Sequence, residues 1–358
     1  MYTEVENRER ECRERECREY IEMFTQGHKQ ILDEALEKLG REYTLDNNSY
    51  SAIIEGLAFP DFPCPNLVIN GDRVDMNFKN CNTFQMLYRF WYDDYSIGNQ
   101  SHNGLYAAWH SMTFDPLKTV ENIAKNIAEY VLICCKNALE LSTNERFVWL
   151  GFALHIIQDS YSPSHTLRES RFSKNERKFS KKEKDSEDSA DSKDSTTDPK
   201  VTELTRMIKD IVADMSRGTS RRTPIRKIVD KYPEDLKRNA LFIAYDHVQR
   251  EMLVDLNIRC LPSDFRSSRK NKRIQNFYYY NNQAPLSHSA YDFIEVIKRK
   301  KLYSACVDDT CEIIRLVVSN FSKPCSKRDL SRVLREIYKF ISSKTLAVSP
   351  RFAKAHTG

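Results

Sequence analysis

The segment His155-Ile-Ile-Gln-Asp159-Ser-Tyr-Ser-Pro-Ser-His165 puts an imidazole and a carboxylate four residues apart, with a second imidazole after a proline. On a helix, residues four apart share a face. Both groups lie in the apolar stretch ERFVWLGFALHIIQDS (145–160). An imidazole and a carboxylate buried there are costly unless they pair or bind a metal. Pro163 ends the helix, so the chain can bring His165 back to the same place. A bare H-x3-D pair also reads as a core hydrogen bond; the third group at fixed spacing points to metal ligation. Histidine is scarce, with eight in the chain. His288-Ser-Ala-Tyr-Asp292 repeats the H-x3-D spacing at the start of a helix, and His247-Val-Gln-Arg-Glu251 is a third pair in an amphipathic context. His110 lies in AAWHSMTFDP, Asp61 in the proline-stiffened AFPDFPCP, and His28 on an early helix. Each of these last three has an ordinary reading too, as core histidine, surface pair or turn former. His102 and His356 carry no signal.

Taken together, these segments resemble the superfamily of zinc-dependent phospholipases C and single-strand nucleases. LGFALHIIQDSYSPSH looks like the family's central helix and turn, HSAYDFIEVIK like its later H-x3-[DE] helix, and WHSMTFDPLKT like its earlier histidine segment. The helix with His28 is similar to the family's first helix. The resemblance covers about residues 20–165 and 275–340. It implies an all-α, multi-helix bundle holding two or three zinc ions. One ion would use Asp61, His110, His155 and Asp159, with Asp93 or Asp94 as alternatives to Asp61. A second would use His165, His288 and Asp292, with His247 and Glu251 as the fallback pair. A third would use His28 and the other oxygen of Asp159. In the family that third ion is completed by a processed N-terminus, whereas here residues 1–27 precede His28.

The implied activity is phosphodiester hydrolysis of the phospholipase C type by a metal-activated hydroxide, with Asp61 orienting or deprotonating the water. A single-strand nuclease or nucleotidase acting on the same site is the alternative. A catalytically degenerate, zinc-binding interaction protein is a second. Arg168 is expected to add a phosphate contact. Phe277, Tyr278, Tyr279 and Tyr280 are candidates for a rim that grips lipid or stacks bases. The basic loop RSSRKNKR (266–273) is a candidate for peripheral contact with an anionic membrane.

The elements that must hold these residues read as helices. The chain is 40% hydrophobic and 30% charged, with only nine glycines and a net charge of +5. So little glycine disfavours a turn-rich β fold, and no glycine-rich phosphate loop occurs. Apolar spacing predicts helices over 20–40, 117–141, 145–160, 201–216, 238–256, 288–301, 304–321 and 327–343, with Gly40 stopping the first. Residues 56–66 read as a proline-rich loop. The expected organisation is a charged extension (1–19), a metal-binding helical domain in two parts (20–168 and 274–345), and a tail (346–358). Between the two parts fall a disordered charged linker (169–200) and a helical insertion (201–273). The linker, a basic half followed by an acidic serine-rich half, is too polar to offset its own ordering entropy. No run of about 18 apolar residues predicts a membrane span. The first twenty residues lack an apolar leader, which points to the cytosol and to reduced cysteines.

Overall fold

A computed structural model describes residues 26–61, 66–69, 72–75, 104–113, 117–169, 250–267, 272–279, 294–321 and 326–349. The chain divides into two compact units, residues 1–169 with 256–358, and residues 170–255. In the second, residues 250–255 are helical.

The first unit is mostly helical. Its helices are α1 (26–39), α2 (Asn47–Ala58), α3 (Val120–Glu140), α4 (Glu145–Asp159), α5 (Ile294–Arg299), α6 (Tyr303–Val318) and α7 (Lys327–Phe340). Local chemistry sets their ends. Gly40 follows α1 at φ 81, a left-handed value that glycine adopts without strain. Asp46, Thr119 and Ser326 cap α2, α3 and α7 by accepting backbone N–H bonds.

Helix α4 is buried continuously from Val148 to Asp159, as a helix that is apolar all round must be. It is the central rod, packed by α2, α3 and α6. The α2–α4 crossing is as close as backbones allow. A Cβ added to Gly56 would lie 2.0 Å from the Val148 carbonyl oxygen, and one on Gly151 would lie 2.1 Å from that of Ile53. Helix α2 was not expected from the sequence, which placed a loop from residue 56; the helix instead runs through Ala58.

Two short antiparallel strand pairs complete the described structure. β1 (Asn66–Ile69) pairs with β2 (Asp72–Asp75), and β3 (Thr166–Arg168) with β4 (Ile274–Phe277). The second pair ties the turn after α4 to the returning chain, since Tyr278 N donates to His165 O at 2.9 Å.

Residues 256–267, expected in the insertion, supply core to the first unit. Phe265 is fully buried and Ser331 Oγ donates to Leu256 O at 2.6 Å. The expected tail begins as core as well. Leu346 to Ser349 are buried, and Ile274 exchanges backbone bonds with Ala347 and Ser349. The described cysteines 134, 135, 260, 306 and 311 are buried. Among the described residues, no helix is long and apolar enough to cross a membrane. The linker 169–200 (beyond Glu169) and the helix expected over 201–216 lie outside the described residues.

Candidate metal centre

At the C-terminal end of α4, four imidazoles and two carboxylates converge. Asp159 Oδ2 lies 3.0 Å from His110 Nδ1, 3.0 Å from His155 Nε2 and 3.3 Å from His165 Nδ1. Its other oxygen, Oδ1, lies 3.3 Å from His28 Nε2. Asp61 closes the cluster from the end of α2, with Oδ1 at 3.5 Å from His110 Nδ1 and Oδ2 at 3.9 Å from His28 Nε2. Asp159, His110, His155 and His165 are all at most 2% exposed, and Asp61 is 9% exposed.

The outer ring nitrogens explain how the inner ones are aimed. His155 Nδ1 is 2.8 Å from Leu57 O, and His110 Nε2 is 3.2 Å from Pro60 O. A carbonyl only accepts, so both nitrogens carry the proton and donate. His28 Nδ1 donates likewise to Gln158 Oε1 at 2.7 Å. In the neutral imidazole the remaining nitrogen of each ring is then a lone-pair donor facing Asp159. The inner nitrogens of His155 and His110 are 3.1 Å apart. Two lone pairs that close repel unless a proton or a metal ion lies between them. Outer N–H groups fixed on carbonyl oxygens, with inner nitrogens free to ligate, are the arrangement that metal-binding histidines use.

The spacing also fits a small divalent ion. Zinc binds nitrogen and oxygen at about 2.1 Å, which puts tetrahedral ligands about 3.4 Å apart. The close nitrogen–oxygen pairs, at 3.0–3.5 Å, lie near that spacing, and two overlapping sets gather within 4.8 Å: Asp61, His110 and His155, and His28, His155 and Asp159.

The electrostatics agree with a cation-seeking site. Burial alone would raise the Asp159 pKa, but His155, His165 and the His110 hydrogen bond hold it well below the carboxylate range. Burial lowers His28, yet Asp159 and Asp61 more than offset it and bring its pKa up to about 9. At His110 burial prevails over the Asp159 hydrogen bond, and its pKa is lowered.

Six of the eight ligands expected from the sequence thus meet in one cluster: His28, Asp61, His110, His155, Asp159 and His165. His288 and Asp292 lie outside the described residues, as do His247, Asp93 and Asp94. Glu251 is exposed, on the helix of the second unit. The sequence reading missed Gln158 and the Leu57 and Pro60 carbonyls. Gln158 sits inside the H-x3-D motif and could have been flagged; the carbonyls belong to α2 and the residues after it.

Two expectations about the surroundings are corrected. Arg168 is not a phosphate contact; its guanidinium is buried and donates to Ser160 O, Ser160 Oγ, Lys272 O and Thr345 O, with its face on the Tyr161 ring. It closes the C-terminus of α4, where carbonyls lack helical partners. Phe277 is 2% exposed and cannot form a rim; Tyr278 and Tyr279 are half-buried, and Tyr280 lies outside the described residues. Of the basic loop, Arg266 pairs with Glu121 and Arg273 with Glu169, and residues 268–271 lie outside the described residues.

The chain matches no protein-family model, and neither a curated protein nor a solved structure matches it.

Proposed function

We propose that this protein is a zinc-dependent phosphodiester hydrolase of the phospholipase C type. The observation that carries the reading is the orientation of His28, His110 and His155. Each donates its outer N–H to an oxygen acceptor and turns its inner nitrogen on Asp159. Asp61, His110, His155 and Asp159 would hold one ion, and His28 with Asp159 another. His165 would be left for a further position, for which the family resemblance implies His288 and Asp292. When bound, zinc supplies Lewis acidity toward phosphoryl oxygens and a water that ionises near neutral pH.

The chain's own residues do the rest. Asp159 would serve both positions, since Oδ2 faces His110, His155 and His165 while Oδ1 faces His28. Asp61, the more exposed carboxylate, accepts a proton at Oδ1 or Oδ2 from the attacking water. The turn 160–166 stays rigid through Thr166 Oγ1 donating to Ser160 O at 2.7 Å and Ser162 Oγ paired with Ser164 Oγ at 2.7 Å, which keeps His165 on Asp159.

The test is elemental analysis of purified protein beside a His155→Ala, Asp159→Ala variant, followed by hydrolysis of phospholipid vesicles and of single-stranded DNA. Two or three zinc ions per chain, lost in the variant, with lipid cleaved, are the expected result. No stoichiometric zinc overturns the reading. DNA cut with lipid spared reassigns the substrate to nucleic acid. Retained zinc without hydrolysis of either makes the centre a structural one in an interaction protein.

A further inference from the structure

Helix α7 carries a feature the metal centre does not use. Arg328, Arg332, Arg335 and Lys339 are all exposed and recur at intervals of four, three and four residues. At about 100° per residue they fall within an arc of about 60°, along about 16 Å of helix. That arc lies opposite the buried side formed by Leu330, Val333, Leu334 and Ile337. Among the described residues Arg328 and Lys339 make no ion pair. Arg332 reaches Asp329 only at 3.7 Å, and Arg335 bonds to the oxygens of Ser331 on its own helix. The four cations, with Asp329 and Glu336, line an open concavity of about 820 Å³. Four cations against two carboxylates leave this face with a net charge of +2, which favours an anionic partner.

We propose that this face of α7 is a docking surface for anionic phospholipid headgroups. The stripe is straight and one-sided, so a membrane plane can reach all four cations together. Basic clusters on amphipathic helices bind acidic lipid in this way. Among the described residues, the face carries no aromatic platform of the kind that single-strand binders combine with their cations. Its aromatic neighbours are engaged elsewhere; Tyr338 donates to Asp264 Oδ2 at 2.5 Å and is half-buried. The surface goes beyond the proposed hydrolysis by naming where the protein meets its lipid. It is measurable without turnover, so either idea can fail alone.

The experiment is co-sedimentation of the full chain with phosphatidylcholine vesicles containing or lacking 30–40% phosphatidylserine (roughly the content of a strongly acidic membrane surface). Binding is expected only to the acidic vesicles and should fall as salt rises. Arg332→Gln with Lys339→Gln should weaken it about 30-fold, from about a five-fold loss per charge. Arg41→Gln with Lys301→Gln, the same charge change away from α7, should leave it nearly unchanged. Unaltered zinc content and circular dichroism certify folding of both variants. Equal binding to neutral and acidic vesicles overturns the proposal, and so does equal weakening by the two variants. Single-stranded DNA that binds with sensitivity to the α7 variant, while vesicles do not bind, assigns the stripe to nucleic acid instead.

Discussion

Asp159 offers Oδ2 to three imidazoles and Oδ1 to a fourth, while Gln158 beside it orients one of those rings. Outer partners of metal-bound histidines are worth about 10–100-fold in metal affinity. Gln158→Leu should therefore weaken the zinc held at His28 by that factor and leave the ion at His110 and His155 in place, as two-phase zinc titration would report. Protons compete for the same nitrogens. With its pKa at about 9 against the ordinary 6.5, His28 is protonated in the metal-free fold at neutral pH. A raised histidine pKa stabilises fully below the unfolded value and loses that contribution as pH rises through the folded one. Chelated protein should thus lose stability between about pH 6.5 and 9, and His28→Asn should flatten that slope in denaturant titrations. An unchanged slope would mean that His28 is neutral in the metal-free fold.

The α2–α4 crossing decides where His155 can anchor. Because Gly56 and Gly151 let the two backbones touch, Leu57 O comes within 2.8 Å of His155 Nδ1. Gly56→Ala must push the helices apart, so a loss of about 3 kcal/mol is expected from overpacking, with weaker zinc binding beside it. Full zinc affinity in a destabilised Gly56→Ala protein would show that the crossing does not set the site. Arg168 works at the same scale, closing the end of α4. Arg168→Met should cost about 2–4 kcal/mol, because buried carbonyls are left unpaired, and Arg168→Lys should recover only part. Helices α3, α4, α6 and α7 were legible from apolar spacing. Helix α2 was passed over because Asn47, Asn48 and Gly56 are poor helix formers and Pro60 drew attention to a loop. Its N-cap Asp46 and the spacing of Ile53, Ile54 and Leu57 were available signals.

At the scale of the molecule, the clustered ligands come from α1, the end of α2, the turn Gly104–His110, α4 and the turn after it. An ion there ties together segments that are far apart in sequence. Zinc that binds only the folded chain stabilises it by about 4 kcal/mol at free metal a thousandfold above Kd. Chelation should therefore lower the thermal midpoint, and readdition of zinc should restore it; no shift in scanning calorimetry would exclude a tightly held ion. The first unit also takes core from 256–267 and 346–349, because Phe265 and Val348 are buried there. Their short apolar runs carry no helical period, so the sequence assigned them to an insertion and a tail.

The sequence by itself determined the helical class, the common face of His155 and Asp159, and the return of His165, since these follow from local periodicity and from proline and glycine backbone limits. It also marked His28, Asp61 and His110 as candidates by residue type. Only the tertiary structure decided that they meet, which carbonyls fix the ring tautomers, that Arg168 and Phe277 turn inward, and that the α7 cations stay outside. Those outcomes depend on partners as far as 177 residues away, such as Thr345 for Arg168. Local spacing sets which face a side chain occupies; what covers that face is settled when distant helices pack.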